Sequence, residues 1–277
     1  MVWLINQRAR DVDGPIQTPE VLESAAGPKP TYHAVPAARV AEAVRGRRVV
    51  IAIHGFNVSR PKAVRAYATL EASLKLTADE VFFGVLWPGD AWIPVINYPA
   101  EAQVAVKCGA ALAAFLDARM AEAAALDFIS HSLGGRVLLE AVGRLSRPAR
   151  EVCVTAGAVD SNVLSKQYLA ARDNAHRVSV LASSKDKVLK LAYPLGDFGA
   201  DVLFGDKDSP WKGALGLKGP KPTEVPPKVE HRQIPAASKY GHGDYFPPSD
   251  GSGAGTKWPI SVAYMRRCID GAPDAWP

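Results

Sequence analysis

Leu126-Asp127-Phe128-Ile129-Ser130-His131-Ser132-Leu133-Gly134 carries an apolar run into a helical pattern, with small residues two positions before and two after Ser132. A serine hydroxyl is a poor nucleophile unless the backbone lifts it clear of its neighbours, beside a base and beside donors for a developing oxyanion. A sharp strand-to-helix turn does that, and small flanking residues give it room. The usual pattern has glycine at both flanks; here Ser130 takes the first place and Gly134 the second. The reading is a nucleophile elbow, and it asks for a buried strand before it and a helix after it.

The rest of the chain supplies that context. Val49 to Ile53, Val81 to Leu86, Leu126 to Ile129, Val152 to Ala156 and Val178 to Ala182 are almost continuously aliphatic, as strands covered on both faces should be. Helical patterns lie between them. The clearest has Val104, Cys108, Ala111, Leu112, Phe115 and Leu116 at spacings of three and four, with Glu101, Lys107, Asp117 and Arg119 on the other face. Ala63 to Leu74, Leu133 to Leu145, Val163 to Ala171 and Pro259 to Cys268 read as further helices, and Val229 to Ile234, more polar and alternating, as an edge strand. Residues 1–48 read as one or two short strands and a helix leading in. The alternation predicts a single α/β domain over 1–277, a mostly parallel sheet of about eight strands with helices on both faces. Two segments break the rhythm and are expected as lid or cap loops: 88–99, with three prolines and apolar Trp92, Ile93, Val95 and Ile96, and 206–228, rich in Pro, Gly and Lys.

Composition narrows the function classes. Hydrophobic content of 48% and charged content of 22% are ordinary for a globular protein. The net charge of +5 comes without a dense Lys/Arg cluster among aromatics, so no nucleic-acid partner is expected. No apolar run reaches membrane-spanning length, which argues against stable membrane insertion. The first residues offer too short an apolar stretch for a signal-peptide core, and the cytoplasm is the expected compartment. Cys108, Cys153 and Cys268 are far apart with no C-x-x-C pair, and buried thiols are expected. Lysines gather at Lys185, Lys187 and Lys190, and again at Lys212, Lys218, Lys221 and Lys228. A solvated loop face is the preferred reading, a patch for an acidic substrate the alternative. No Gly-x-Gly-x-x-Gly or Walker-type loop follows the first strand, which disfavours a nucleotide-binding protein. Nothing in the sequence bears on oligomeric state.

Four stretches taken together resemble the α/β-hydrolase superfamily, and a branch of largely uncharacterised bacterial members in particular: His54-Gly55-Phe56-Asn57, Leu86-Trp87-Pro88-Gly89, His131-Ser132-Leu133-Gly134 and Ser184-Lys185-Asp186-Lys187-Val188-Leu189. The resemblance covers about 40–275. It implies a serine nucleophile, an acid and a histidine in that chain order, and an oxyanion hole made by the backbone N–H groups of Phe56 and Leu133. Two aspartates end apolar strands after the serine, Asp160 and Asp186. The resemblance favours Asp186, leaving Asp160 as the alternative and a plain helix cap as the bland reading of either. Of six histidines, His33 and His54 precede the serine, and His131 adjoins it with its side chain expected on the other side of the turn. His176 and His231 sit at or within strands. His242, flanked by Gly241 and Gly243 beyond the last strand, is the expected base.

The implied activity is hydrolysis of carboxylic esters of small to medium acyl chain through an acyl-enzyme on Ser132, with no metal or organic cofactor and a small-molecule ester as substrate. A thioesterase or lipase with the same triad, or a non-catalytic binding module on the same fold, are the alternatives. Serine at the nucleophile position argues against the dehalogenase branch, where aspartate is expected. Absence of a His-Gly-Gly-Gly loop points to the simpler oxyanion hole, seen in enzymes for esters of uncrowded alcohols. Trp87 and Trp92 are candidate substrate contacts, although an aromatic plug at a strand end is the preferred reading of Trp87.

Overall fold

The structure is a computed structural model that describes residues 1–12, 14–25, 27, 29–89, 98–191, 213–221, 228–248, 256–273 and 276. The loops expected over 88–99 and 206–228 therefore fall largely outside the described residues, Trp92 among them; only Pro88, Gly89, residues 98–99 and 213–221 and Lys228 are described.

The central strands form where the aliphatic runs predict them: β4 (Arg48–Ile53), β5 (Glu80–Leu86), β6 (Ala125–His131), β7 (Ala149–Thr155) and β8 (Ala175–Ala182), with β9 (Val229–Gln233) at one edge. Three more strands precede them: β1 (Val2–Arg8), β2 (Ile16–Ser24) and β3 (Tyr32–Ala34). The described sheet has nine strands in the order β3-β2-β1-β5-β4-β6-β7-β8-β9, one more than expected. From β1 to β9 all neighbours are parallel, while β2 pairs antiparallel with both β1 and β3.

The N-terminal segment corrects the expectation of a mere lead-in. β1 lies inside the sheet, with Leu4 opposite Gly84 of β5 and Leu22 of β2. Its second half, Asn6-Gln7-Arg8, is polar and still buried, and each side chain donates a hydrogen bond to a backbone carbonyl. Asn6 Nδ2 donates to the Arg8 carbonyl at 3.1 Å, and Gln7 Nε2 to the Cys108 carbonyl at 2.9 Å. Polar residues that bond within the sheet's surroundings hide a buried strand from hydropathy.

α1 (Ala37–Val44), α2 (Arg60–Leu74), α3 (Tyr98–Arg119), α4 (Gly134–Arg144) and α5 (Leu169–Asp173) link these strands, and the C-terminal helix Trp258–Ile269 closes the described chain. Right-handed crossovers put α2, which steps from β4 to β5, on the opposite face from α3, α4 and α5, which step the other way. The packing agrees: α4 touches α3 and α5, while α2 touches the C-terminal helix. The helix expected over Val163 to Ala171 is split into a 3-10 turn at Val163–Ser165 and α5. Ser165 Oγ donates to the carbonyls of Asn162 and Lys221, at 2.9 and 3.1 Å, and such side-chain bonds compete with the helix. Among the described residues no helix is long and apolar enough to cross a membrane.

Parallel strands all point their carboxyl ends to one edge of the sheet, where binding crevices form in this architecture. That edge carries the loops after β4, β6, β8 and β9, and with them Phe56, Ser132, Leu133, Asp186 and His242.

Candidate active site

Ser132 follows β6 with φ of 55°, a left-handed conformation that costs a non-glycine residue about 1 kcal/mol or more. The turn is fastened on both sides. Ser132 N–H donates to the Thr155 carbonyl at 3.0 Å, and the Ser132 carbonyl accepts the N–H groups of Gly135 and Ala158 at 3.0 and 3.1 Å. α4 starts at Gly134, and a Cβ there would lie 2.3 Å from the His54 carbonyl oxygen and 2.8 Å from that of Ile53. The second flank must therefore be glycine. The first flank is different: Ser130 lies within β6, paired with Ile53 and Val154, where a side chain has room. Its Oγ is buried and has no hydrogen-bond partner among the described residues.

His242 begins a 3-10 turn, His242–Asp244, and its imidazole bridges the other two candidates. Nε2 is 2.8 Å from Ser132 Oγ, and Nδ1 is 2.7 Å from Asp186 Oδ2. A carboxylate oxygen only accepts, so Nδ1 carries the proton and Nε2 of the neutral ring faces the serine hydroxyl as acceptor. Asp186 is fully buried, and its other oxygen, Oδ1, accepts the Leu189 N–H at 3.0 Å at the start of α6 (Lys187–Leu191). The helix-cap reading and the partner reading of this residue are both realised, one oxygen each. Asp160, the alternative, lies elsewhere: it forms an isolated bridge with Ala214 and precedes the Val163–Ser165 turn.

The glycines around His242 do not leave its loop loose. Gly241 N–H donates to Asp244 Oδ2 at 2.7 Å, and Ser183 Oγ to the Tyr240 carbonyl at 2.8 Å. Tyr240 is buried edge-on against Tyr245 and Trp276, both at 5.3 Å between centroids. Ser183 Oγ also accepts the Lys185 N–H at 3.1 Å, so one hydroxyl joins the acid's loop to the histidine's.

The His54–Asn57 loop faces the nucleophile. A Cβ on Gly55 would lie 2.9 Å from Ser132 Cβ and 3.0 Å from His131 Nδ1, so the loop backbone reaches the serine only because residue 55 is glycine. Among the described residues the N–H groups of Phe56 and Leu133 donate to no other group, as the expected oxyanion donors should. His54 itself is buried; its Nδ1–H donates to the Gly55 carbonyl at 2.8 Å, and its N–H donates to Tyr67 Oη at 2.8 Å. Burial holds its imidazole neutral, with the pKa pushed down from 6.5 to about 3.

Trp87 is fully buried, in keeping with the preferred reading of an aromatic plug at the strand end. Its ring stacks on His54 at 5.7 Å, and its Nε1–H donates to the His54 carbonyl at 2.9 Å. The plug at the strand end supports the His54–Asn57 loop. Arg8, equally buried, donates through Nη1 to the Val58 carbonyl at 2.8 Å and the Trp87 carbonyl at 3.3 Å, clamping the same loop.

His131 is the residue that sequence reasoning missed. Its ring was expected on the far side of the turn, but it packs 4.9 Å from the His242 ring and 5.5 Å from that of Phe246. The reason is tertiary: the 240–246 segment folds back over the end of β6 and walls the ring in. His131 Nε2–H donates to the His242 carbonyl at 2.9 Å. Burial pushes its pKa down to about 3, so it acts as a neutral donor. Adjacency to the serine was the one signal available. Among the described residues no cluster of three or more His, Cys, Asp and Glu side chains is placed to hold a metal ion.

The family model described as "Alpha/beta hydrolase of unknown function (DUF900)" matches residues 37–198. Solved structures with a similar trace include esterase PE8, at 13% identity and a TM-score of 0.43 over 82% of this chain and 94% of that one. They also include SOBER1 of Arabidopsis thaliana, at 16% identity and a TM-score of 0.44 over 81% and 100%. A third is an inhibited esterase B from Lactobacillus rhamnosis, at 11% identity and a TM-score of 0.45 over 97% and 85%. No curated protein sequence matches the chain.

Proposed function

The chain belongs to this family of α/β hydrolases, and we propose that it is a serine hydrolase cleaving carboxylic esters of small to medium acyl chain through an acyl-enzyme on Ser132. The observation that carries the reading is the unbroken line from Ser132 Oγ to His242 Nε2, at 2.8 Å, and from His242 Nδ1 to Asp186 Oδ2, at 2.7 Å. Those are the distances of proton transfer and of ring orientation in a nucleophile, base and acid set.

In this reading Ser132 Oγ attacks the ester carbon while its proton passes to His242 Nε2. Asp186 fixes the tautomer and stabilises the imidazolium that forms. The carbonyl oxygen, now negative, is held by the N–H groups of Phe56 and Leu133, the contribution expected to dominate the rate. Collapse breaks the bond to the alcohol, whose oxygen takes the proton from Nε2. Water then repeats the sequence on the acyl-enzyme, giving the free acid and restoring Ser132.

A fluorophosphonate probe tests the nucleophile directly. Wild-type protein is expected to label at Ser132 and to hydrolyse p-nitrophenyl esters, and Ser132→Ala to do neither. Labelling that persists in the variant overturns the assignment. A p-nitrophenyl series of rising chain length, run beside matched thioesters, reads acyl size and separates esterase from thioesterase.

A further inference from the structure

A cavity of about 710 Å³ opens beside His242, lined by Lys185, Lys187, Val188, Ala236, Ala237, Lys239, Gly241 and His242. Its walls are aliphatic and its charges are all of one sign. Among the described residues none of the three lysine side chains has an ion-pair partner. The carboxylates nearest in sequence are engaged elsewhere, Asp186 with His242 and Asp244 with the Gly241 N–H and Lys257. Val188 is 48% exposed, an apolar surface beside an opening of the kind that binds ligands.

The position of the cavity says which end of an ester would enter it. In an acyl transfer of the kind proposed above, on which this inference rests, the departing oxygen must meet the proton on His242 Nε2, so the alcohol lies on the histidine's side. The oxyanion lies on the other, toward Phe56 and Leu133. The cavity touches His242 and, among the described residues, none of Ser132, Phe56 and Leu133, so it would hold the far end of the alcohol and not the reacting carbon. We propose that the natural substrate is an ester of an anionic alcohol, one bearing a carboxylate or phosphate, whose charge sits among Lys185, Lys187 and Lys239 while its carbon skeleton lies on Val188, Ala236 and Ala237. The bond broken is between acyl carbon and alcohol oxygen, and the anionic alcohol leaves with the proton from His242. This reverses the preference for a merely solvated face at Lys185 and Lys187: Lys239, 54 or 52 residues further on, converges on the same cavity.

The test compares 4-acetoxybenzoate, anionic on the alcohol side, with its neutral methyl ester and with p-nitrophenyl hemisuccinate, anionic on the acyl side. Wild type is expected to favour 4-acetoxybenzoate over the methyl ester by kcat/KM. Replacing the three lysines by glutamine (K185Q, K187Q and K239Q together) is expected to lower that ratio roughly tenfold, the scale of a few partly screened charge contacts. The response of the hemisuccinate should be much smaller. An unchanged ratio overturns the proposal, and so does an equal drop for the hemisuccinate, which would mean only that the surface attracts anions. Calorimetric binding of 4-hydroxybenzoate to Ser132→Ala, with and without the three glutamines, reads the cavity without turnover. Lysine-dependent binding supports it, and lysine-independent or absent binding overturns it. Fluorophosphonate labelling of Ser132 in the wild-type and triple-glutamine proteins reports the nucleophile separately, so failure of the hydrolase reading is distinguishable from failure of the anion site.

Discussion

Single residues carry the sharpest consequences. Asp186→Asn would offer His242 an amide that no longer demands a proton on Nδ1, and kcat for a p-nitrophenyl ester is expected to fall by roughly ten-thousandfold. Asp160→Asn, at a residue that bridges to Ala214, is expected to change kcat little; the reverse pair of results would return the acid's role to Asp160. His131→Phe keeps a ring against Phe246 and removes the bond to the His242 carbonyl, a 2.9 Å contact. It should lower kcat about tenfold with KM nearly unchanged, the scale of one lost hydrogen bond that orients a base. Ser130→Ala removes a buried hydroxyl that has no hydrogen-bond partner among the described residues, so thermal denaturation should show stability unchanged or raised. The departure from glycine at the first flank is thus harmless for a stated reason: a strand residue has room for a side chain, whereas Gly134 does not. Ser132, His242 and both aspartates were legible because residue type and chain order identify them. His131 was not, because its role depends on a segment more than a hundred residues away.

At the level of elements, the central strands were legible because burial on both faces demands continuous aliphatic sequence. β1 escaped because its polar half bonds to neighbours no local pattern reveals. A buried network at the start of β5 ties the sheet to the C-terminal helix. The fully buried carboxylate of Glu80 accepts from Arg48 of β4 and from Arg266 of that helix, with Arg266 bonds at 2.8 and 2.9 Å, and from the Thr77 N–H at 2.8 Å. Glu80→Ala removes the acceptor that two arginines share, although Arg48 keeps the Ile269 carbonyl and Arg266 keeps Asp270, and should cost about 1–3 kcal/mol, measured by urea unfolding. Gly134→Ala would drive the first turn of α4 against the end of β4, and a soluble variant should lose ester hydrolysis more than it loses stability.

For the molecule as a whole, the buried ionisable groups set a pH response. His54 and His131 stay neutral in the fold, their pKa values lowered from 6.5 to about 3 by burial. Below about 6.5 the unfolded chain binds protons there that the folded chain does not, so stability falls with pH, by up to about 1.4 kcal/mol per unit for each. Glu151 opposes them: burial, against the charges of Arg177 and Arg150, raises it to about 7, so the folded chain holds a proton between 4.5 and 7. Below 4.5 that opposition ends. Burial of Glu80 would raise its pKa, but Arg266, Thr77 and Arg48 hold it at about 2, and protonating it in the unfolded chain adds to the loss. Urea midpoints should therefore fall gently from pH 6.5 to 4.5 and steeply below; a flat profile would contradict the neutral state of the two histidines. The sequence alone determined the layered α/β scaffold and pointed to Ser132, His242 and two rival aspartates as candidates, because hydrophobic period and motif order are properties of the chain read locally. Only the tertiary structure joined His242 to Asp186 by a hydrogen bond, stacked Trp87 on His54, set His131 behind His242 and gathered Lys239 to Lys185 and Lys187. Each of those depends on which strand ends the sheet order makes neighbours, and that order is settled by packing across the whole domain.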